Sequence, residues 1–396
     1  MFHNSLRQYV FVIGLVTMIA GQARAEEEFA IVPAVSLKEE YNDNIHFSQR
    51  SKDSSFITAV SPSVSLLQKS ERLSTNLSAR LDLLYYSSAS DLNSTDQNYW
   101  GTASYQFTPL FKAGASASYI RDSPVDRILE SSGLVINSPR EQQDYSLTGK
   151  YIMTEKLAGN LTYAYQQINY NSSLLTDIFA HFAYAGVEYD LNKILPLVKV
   201  RGDVGFNHAD YSTAAVDVST VDTYSATIGA SRSLHELWSI SADVGGRVSE
   251  YSFLVPRKLD EERWGWIAKM ALEYHDDFTT GYLNFFHNLQ NITGYAVPTE
   301  QTSVTVLLTR KFSSEFSGSL FAGFFLNSAE NSGQANQDTN KTTYLISPGL
   351  TYALTRNLFF NLAYEYAIVH DRLNDTNSDR NRIFARLTYQ YPIPLF

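Results

Sequence analysis

The residues that could carry chemistry are dispersed along this chain. His46, His181, His208, His235, His275, His287 and His370 show no metal-ligand spacing, and no serine or carboxylate stands near them at a nucleophile-motif offset. An enzyme must bring acid, base and nucleophile to one place, so the sequence points to no catalytic step and no cofactor. Asp375-x-Asn377-x-Asp379 has the oxygen spacing of a calcium loop. However, Arg380 replaces the glycine such a loop needs for its sharp turn, and no bidentate glutamate follows, so the better reading is a solvated acidic loop without metal. With no cysteine, disulfides and thiolate zinc sites are excluded. A net charge of −10 argues against a nucleic-acid partner.

The charged residues become informative once their neighbours are read with them. From Leu73 to Tyr86, Leu73, Thr75, Leu77, Ala79, Leu81, Leu83 and Tyr85 alternate with Ser74, Asn76, Ser78, Arg80, Asp82 and Tyr86. That is a strand with one apolar and one wet face. The same period of two runs through Val198–Phe206 and Trp238–Val248. It assigns to the wet face Arg80, Asp82, Lys150, Lys199, Arg201, Asp203, Asp243, Arg247, Lys269, Glu273, Glu365 and Arg386, together with Lys38, Glu40 and Asp144. Their signs nearly balance. One reading pairs them across neighbouring strands as wall packing, for instance Arg247 with Asp243 or Arg80 with the neighbours of Asp82. The other makes them the lining of a polar channel, with Lys199, Arg201 and Arg247 favouring anions such as acidic sugars.

These faces need strands to carry them, and the chain supplies about 18, from 29–41 through 56–68 and 73–86 to 382–391, an even count within the range of outer-membrane barrels. The phase is ambiguous at 178–189 and 278–290, where Phe, Tyr and Ala fall on both faces. Connectors alternate between long, such as 42–55, 122–141, 211–221 and 370–381, and short, such as 69–72, 109–111 and 275–277. The expected fold is therefore all-β, an antiparallel transmembrane β-barrel with short periplasmic turns and long extracellular loops. A soluble sandwich has shorter strands and a polar outer face. The 26 Tyr and 23 Phe suit strands, and mean hydropathy of −0.21 suits walls apolar on one side only.

The ends of the chain complete the expectation. Arg7, an apolar run from Tyr9 to Ala20 and Ala23-Arg24-Ala25 form a signal-peptide pattern, giving a cleaved segment 1–25 and a single barrel domain 26–396. The destination is the bacterial outer membrane, with outer-membrane lipid and the barrel-insertion machinery as partners. Tyr85, Tyr105, Tyr119, Tyr165, Trp264, Trp266, Tyr366 and Tyr391 are placed for aromatic girdles. Arg382, Phe384, Arg386, Thr388 and Gln390 face the lumen on the last strand, which Pro392 should end at Tyr391, leaving Phe396 as a tag or tucked tail. The loop 122–141, with Ile128, Leu129, Leu134, Val135 and Ile136, is the candidate constriction or rim cover.

Pro33-Ala34-Val35-Ser36-Leu37-Lys38-Glu39-Glu40-Tyr41-Asn42-Asp43-Asn44-Ile45, followed by Ser61-Pro62-Ser63-Val64-Ser65-Leu66, resembles the opening strands of the β-barrel porin 2 family. The resemblance covers about 40 residues, with the strand rhythm continuing beyond them. It implies a large outer-membrane pore for exopolysaccharide or another cell-surface glycan, working beside periplasmic polysaccharide-export components. A general diffusion porin for small hydrophilic solutes and a structural or adhesive barrel are the alternatives.

Overall fold

A computed structural model describes residues 28–122, 129, 133–135, 138–170, 172, 175–213, 217–254, 259–291, 297–329 and 339–394. Residues 1–25, expected to be a cleaved signal peptide, and Phe396 lie outside the described residues. Eighteen long strands run in sequence: β1 Glu28–Asn42, β2 Ser55–Lys69, β3 Leu73–Tyr86, β4 Ser94–Thr108, β5 Phe111–Asp122, β6 Arg140–Ile152, β7 Leu157–Tyr170, β8 Asp177–Asp190, β9 Val198–Ser212, β10 Asp217–His235, β11 Trp238–Phe253, β12 Leu259–His275, β13 Thr279–Gln290, β14 Thr299–Lys311, β15 Phe316–Ala329, β16 Thr339–Ala353, β17 Leu358–Asp371 and β18 Thr376–Gln390. A two-residue β19, Ile393–Pro394, pairs with Ala30 and Ile31 of β1. Each long strand pairs antiparallel with its sequence neighbour, and β18 pairs with β1 from Ala34↔Gln390 to Asn42↔Arg382. The sheet is a closed antiparallel barrel of 18 long strands, each paired with a neighbour on both sides.

Paired residues share a face, and the two faces differ in chemistry. One carries exposed apolar side chains on strand after strand, among them Leu147 at 61%, Leu161 at 63%, Ile228 at 67% and Trp264 at 78% exposure. Tyr85, Tyr105, Tyr119, Tyr165, Trp266 and Tyr366 lie on this face as well. The other face must be the interior. Leu134, from the β5–β6 connector, packs in one cluster with Ile178 of β8, Tyr251 of β11 and Ala329 of β15, which only a side chain inside the ring can do. The barrel is thus inverted relative to a water-soluble protein, with carboxylates and guanidiniums within and Val, Leu, Ile and Trp without. Burying one such apolar side chain stabilises by roughly 1.5–3 kcal/mol, and this outer face leaves that gain to whatever surrounds it.

Three features depart from the alternation of sequence signals. Strands extend further at one end than hydropathy suggests, so connectors expected to be long shrink to 213–216 and 372–375. Residues Thr376–Asn381, expected in the loop 370–381, instead pair with β17 from Asp371↔Thr376 to Tyr366↔Asn381. Beyond the apolar band both faces of a strand are polar, so backbone pairing continues where the apolar/polar period has already vanished. Asp375, Asn377 and Asp379 are consequently divided between a turn and a strand, and the Asp379 carboxylate takes Lys52 at 2.8 Å. Pro62 and Pro348 each interrupt a ladder, because proline has no N–H to give: pairing skips from Val60↔Leu83 to Ser63↔Arg80, and from Ile346↔Tyr366 to Gly349↔Ala363. Pro392 ends β18, one residue earlier than Tyr391.

The opposite end has tight turns, and the one between β12 and β13 shows how they are set. Asp276 accepts from Tyr274 Oη at 2.6 Å and from the Phe278 N–H at 2.7 Å, with the Thr279 N–H also donating to it. The Tyr274 hydroxyl first, and then these backbone donors, hold the Asp276 carboxyl below its ordinary range. A depressed pKa stabilises the folded turn fully above the unfolded carboxylate value, about 4, and the contribution is lost as pH falls through the folded value. The protection of the Phe278 and Thr279 amides, taken relative to their intrinsic exchange rates, should fall on acidification below that range, and Asp276→Asn should flatten the response. Exchange rates in the variant that keep the same acid dependence would show that Asp276 does not set the turn.

Candidate functional site

The strand register places all fifteen charged residues singled out above on the inner face, but it does not give them one role. Those near β18, β1 and β3 are packed into the wall. Glu365 on β17, almost fully buried, accepts from Arg380 Nη2 at 2.9 Å, from Arg382 Nε at 2.8 Å and from Arg382 Nη2 at 2.6 Å. Arg382 also faces Glu40 across the closing strand pair at 3.8 Å, and Lys38 holds Glu40 at 2.7 Å. Arg80 pairs with Asp82 itself at 2.7 Å, not with that residue's neighbours. Arg386 lies near the Phe384 ring at 5.5 Å with no carboxylate at ion-pair distance among the described residues.

On the opposite wall the charges are open to the lumen. Lys150 and Lys199 share Glu188 at 3.7 and 3.5 Å, with both lysines more than half exposed. Arg201 binds Asp243 in a bidentate pair that crosses β10 at Gly229, so Asp243 is not the partner of Arg247. Lys269 sits opposite Asp243 and is exposed, and Glu273 takes the Ser239 hydroxyl at 3.3 Å. Asp203 lies opposite Thr227 and Gly186 on the same face, and Asp144 accepts from Ser118, Gln142 and Gln166. A cavity of about 420 Å³ opens at the turn end, bounded by Lys199, Ser231, Ser239, Ser241 and Glu273.

Arg247 corrects the expectation of an anion-attracting trio with Lys199 and Arg201. Its side chain is 3% exposed and reaches Glu300 at 3.4 Å, away from the lumen. Alternation gave its face but not its reach, since a long side chain can turn aside where the wall is thin.

The loop end of the lumen is occupied. Within the β5–β6 connector, Leu129 and Leu134 are fully buried, and Gly133 adopts φ +71°, a conformation open to glycine. The Gly133 carbonyl accepts from the Thr343 hydroxyl of β16, and a Cβ at Gly133 would collide with Phe325 of β15. Both strands stand far from β5 and β6 in the ring order. Leu129 packs with Phe47, Leu345, Ala367 and Val369, while Leu134 joins Tyr211, Tyr251, Phe253 and Val297. The candidate constriction therefore reaches inside the ring, with its apolar residues meeting apolar inward residues; Ile128 and Ile136 lie outside the described residues.

Several site residues escaped the sequence reading. Arg380 and the buried pair Arg140–Asp122, 2.9 Å apart, sat where a loop was expected. Glu188 fell on the strand with ambiguous phase, whose inner face carries Phe182, Tyr184 and Glu188. Among the described residues no group of three His, Cys, Asp or Glu could hold a metal ion.

Comparison with solved structures gives distant similarities to outer-membrane proteins. The outer-membrane protein OpdK of Pseudomonas aeruginosa is 13% identical, covering 92% of this chain and 99% of its own, with TM-score 0.44. OccK2 (OpdF) of the same organism, solved with glucuronate, is 11% identical over 93% and 98%, with TM-score 0.44. OccAB4 of Acinetobacter baumannii is 9% identical over 93% and 99%, with TM-score 0.47. The fold rests on its own strand pairing. No family model matches the sequence and no curated relative does, so the β-barrel porin 2 resemblance stands on the residues that carry it.

Removing the Glu365 carboxylate should be costly, since two guanidiniums would stay buried without it. Glu365→Ala is expected to lose on the order of 3–5 kcal/mol in denaturant unfolding of the folded barrel. A midpoint equal to that of the unaltered protein would show that the clamp is dispensable.

Proposed function

We propose that this protein is an outer-membrane channel for small hydrophilic solutes, with weak preference for anions and no chemical step. The carrying observation is the filled loop end. Apolar residues from the β5–β6 connector, Phe47 and Val297 meet inside the ring, leaving the water-accessible charges and the 420 Å³ cavity at the turn end. A lumen narrowed in this way suits single small molecules. A polysaccharide strand, the cargo implied by the family resemblance, would need that core displaced along its whole path.

The outer face supports the membrane reading. Only a closed barrel or a helix satisfies every backbone hydrogen bond within the hydrocarbon layer, and here the closed ring has an apolar exterior. Lys150, Lys199 and Lys269 are exposed on this wall, while among Asp144, Glu188, Asp203 and Glu273 only Glu273 is, so the accessible charge has a positive excess although the inner-face signs nearly balance. Such an excess draws anions into a narrow polar passage. Insertion machinery and bilayer lipid are the partners this reading requires.

Single-channel recording on the refolded barrel tests it. Discrete ohmic steps with anion preference are expected, and glucuronate should reduce the current. Converting Lys150 and Lys199 together to glutamate should turn the preference toward cations. A silent bilayer, or selectivity indifferent to the double substitution, overturns the reading.

A further inference from the structure

The β12–β13 ladder stops short among the described residues. β12 pairs with β11 along its whole length, from Trp238↔Tyr274 to Phe253↔Leu259. With β13 it pairs only from His275↔Thr280 to Ala268↔His287. β13 nevertheless continues to Gln290 and stays paired with β14 up to Gln290↔Thr299. Among the described residues, Gly265–Ile267 of β12 and Asn288–Gln290 of β13 are therefore left without a ladder between them, on the loop side of Ala268↔His287. An open ladder next to hydrocarbon is costly unless its polar groups find partners, so what fills this seam matters.

Arg247 fills it. Its register partner on the inner face of β12 is Gly265, and the guanidinium lies directly over that glycine, where any Cβ would collide with it. It ends 3.4 Å from Glu300. Glu300 is paired with Ser328 and alternates with the inward pair Gln301↔Asn327, so it belongs to the outer face. An ion pair between an inward and an outward residue passes through the wall. His287, on the outer face of β13, places Nε2 2.8 Å from the same Glu300 oxygen and stacks on Trp266 at 3.6 Å. Arg247 Nε is buried with no hydrogen-bond partner among the described residues. Next to it Trp264 and Trp266 project outward, both strongly exposed.

We propose that the β12–β13 seam is a lateral portal between the lumen and the surrounding bilayer, taking amphipathic molecules with a carboxylate head and an alkyl chain. The head replaces Glu300 at the Arg247 guanidinium, where the spare Nε donor completes a two-point carboxylate contact. The chain leaves across Trp264 and Trp266, the apolar side of the gap. Glu300 already shows that a carboxylate fits there, and the missing ladder supplies the exit. This goes beyond a channel for small polar solutes and rests on that reading only for entry from water.

The test uses the mature barrel in nanodiscs, photolabelled with a diazirine-bearing dodecanoate, with adducts mapped by mass spectrometry and conductance measured in parallel. Adducts should concentrate on β12 and β13 around Trp264, Trp266 and Leu289. Unlabelled dodecanoate should compete, and dodecanol and glucuronate should not. Arg247→Gln should lower labelling about tenfold, the loss of one charge-assisted contact. Should that variant fail to fold, the competition on the unaltered protein decides the matter. Labelling spread evenly over the outer face, or equal competition by dodecanol, overturns the portal even in a conducting barrel. A silent barrel that labels at the seam sinks the channel reading and leaves the seam as the binding place.

Discussion

Everything in this molecule depends on joining β18 to β1. Seventeen of the pairings between long strands link sequence neighbours, and the remaining one must find its partner across nearly the whole chain. Until it forms, two edges offer unpaired backbone to anything nearby, a cost that hydrocarbon makes severe. The join is reinforced on its inner side by charges. Glu365 on β17 grips Arg380 and Arg382 on β18, and Arg382 in turn meets Glu40 on β1, so three consecutive strands of the ring are fastened through two carboxylates. Ion pairs of this kind add little on a wet surface, yet removing one partner from a buried set leaves the other charge stranded. The closing strand therefore carries arginines where an ordinary wall strand needs only serine or threonine.

The lumen divides into two chemistries along its axis. Toward the loops its lining is dry, because residues such as Ile168, Ile178 and Tyr211 meet Leu134 and Val297 and exclude water, with buried ion pairs such as Arg140–Asp122 beside them. Toward the turns it is charged and wet. The division explains why one inward face carries both Ala209 and Lys199 on β9, and why hydropathy averaged over a strand hides it. On the channel reading proposed above, a passage with a dry end and a charged end would select small solutes by how readily they shed water, as well as by sign.

Much of this architecture was legible because the strand period is two and, within the apolar band, the two sides of a barrel wall differ in polarity. Residue pairs such as Leu77 and Ser78 report their faces unaided. The count of strands followed, as did the inward placement of Lys199, Arg201 and Glu365. Partners did not, since pairing depends on register between strands and on reach: Arg247 lies on the face it was given and still leaves the lumen for Glu300. Strand ends were blurred where Thr376–Asn381 are polar on both faces, and the inserted connector announced itself only by apolar residues such as Leu129 and Leu134 in a loop. The portal had no sequence signal at all, for a ladder that stops short changes no residue type.

The contact between the Gly133 carbonyl and the Thr343 hydroxyl has a mechanical meaning as well. A ring of strands resists stretching along its hydrogen bonds but ovalises easily, much as a thin tube does. A connector anchored at β5 and β6 and seated against β15 and β16 acts as a strut across that tube. It restrains changes of cross-section at the loop end and leaves the turn end free to breathe. Current through such a barrel should carry its low-frequency noise from the wet end, and cutting the strut should add a second, slower component.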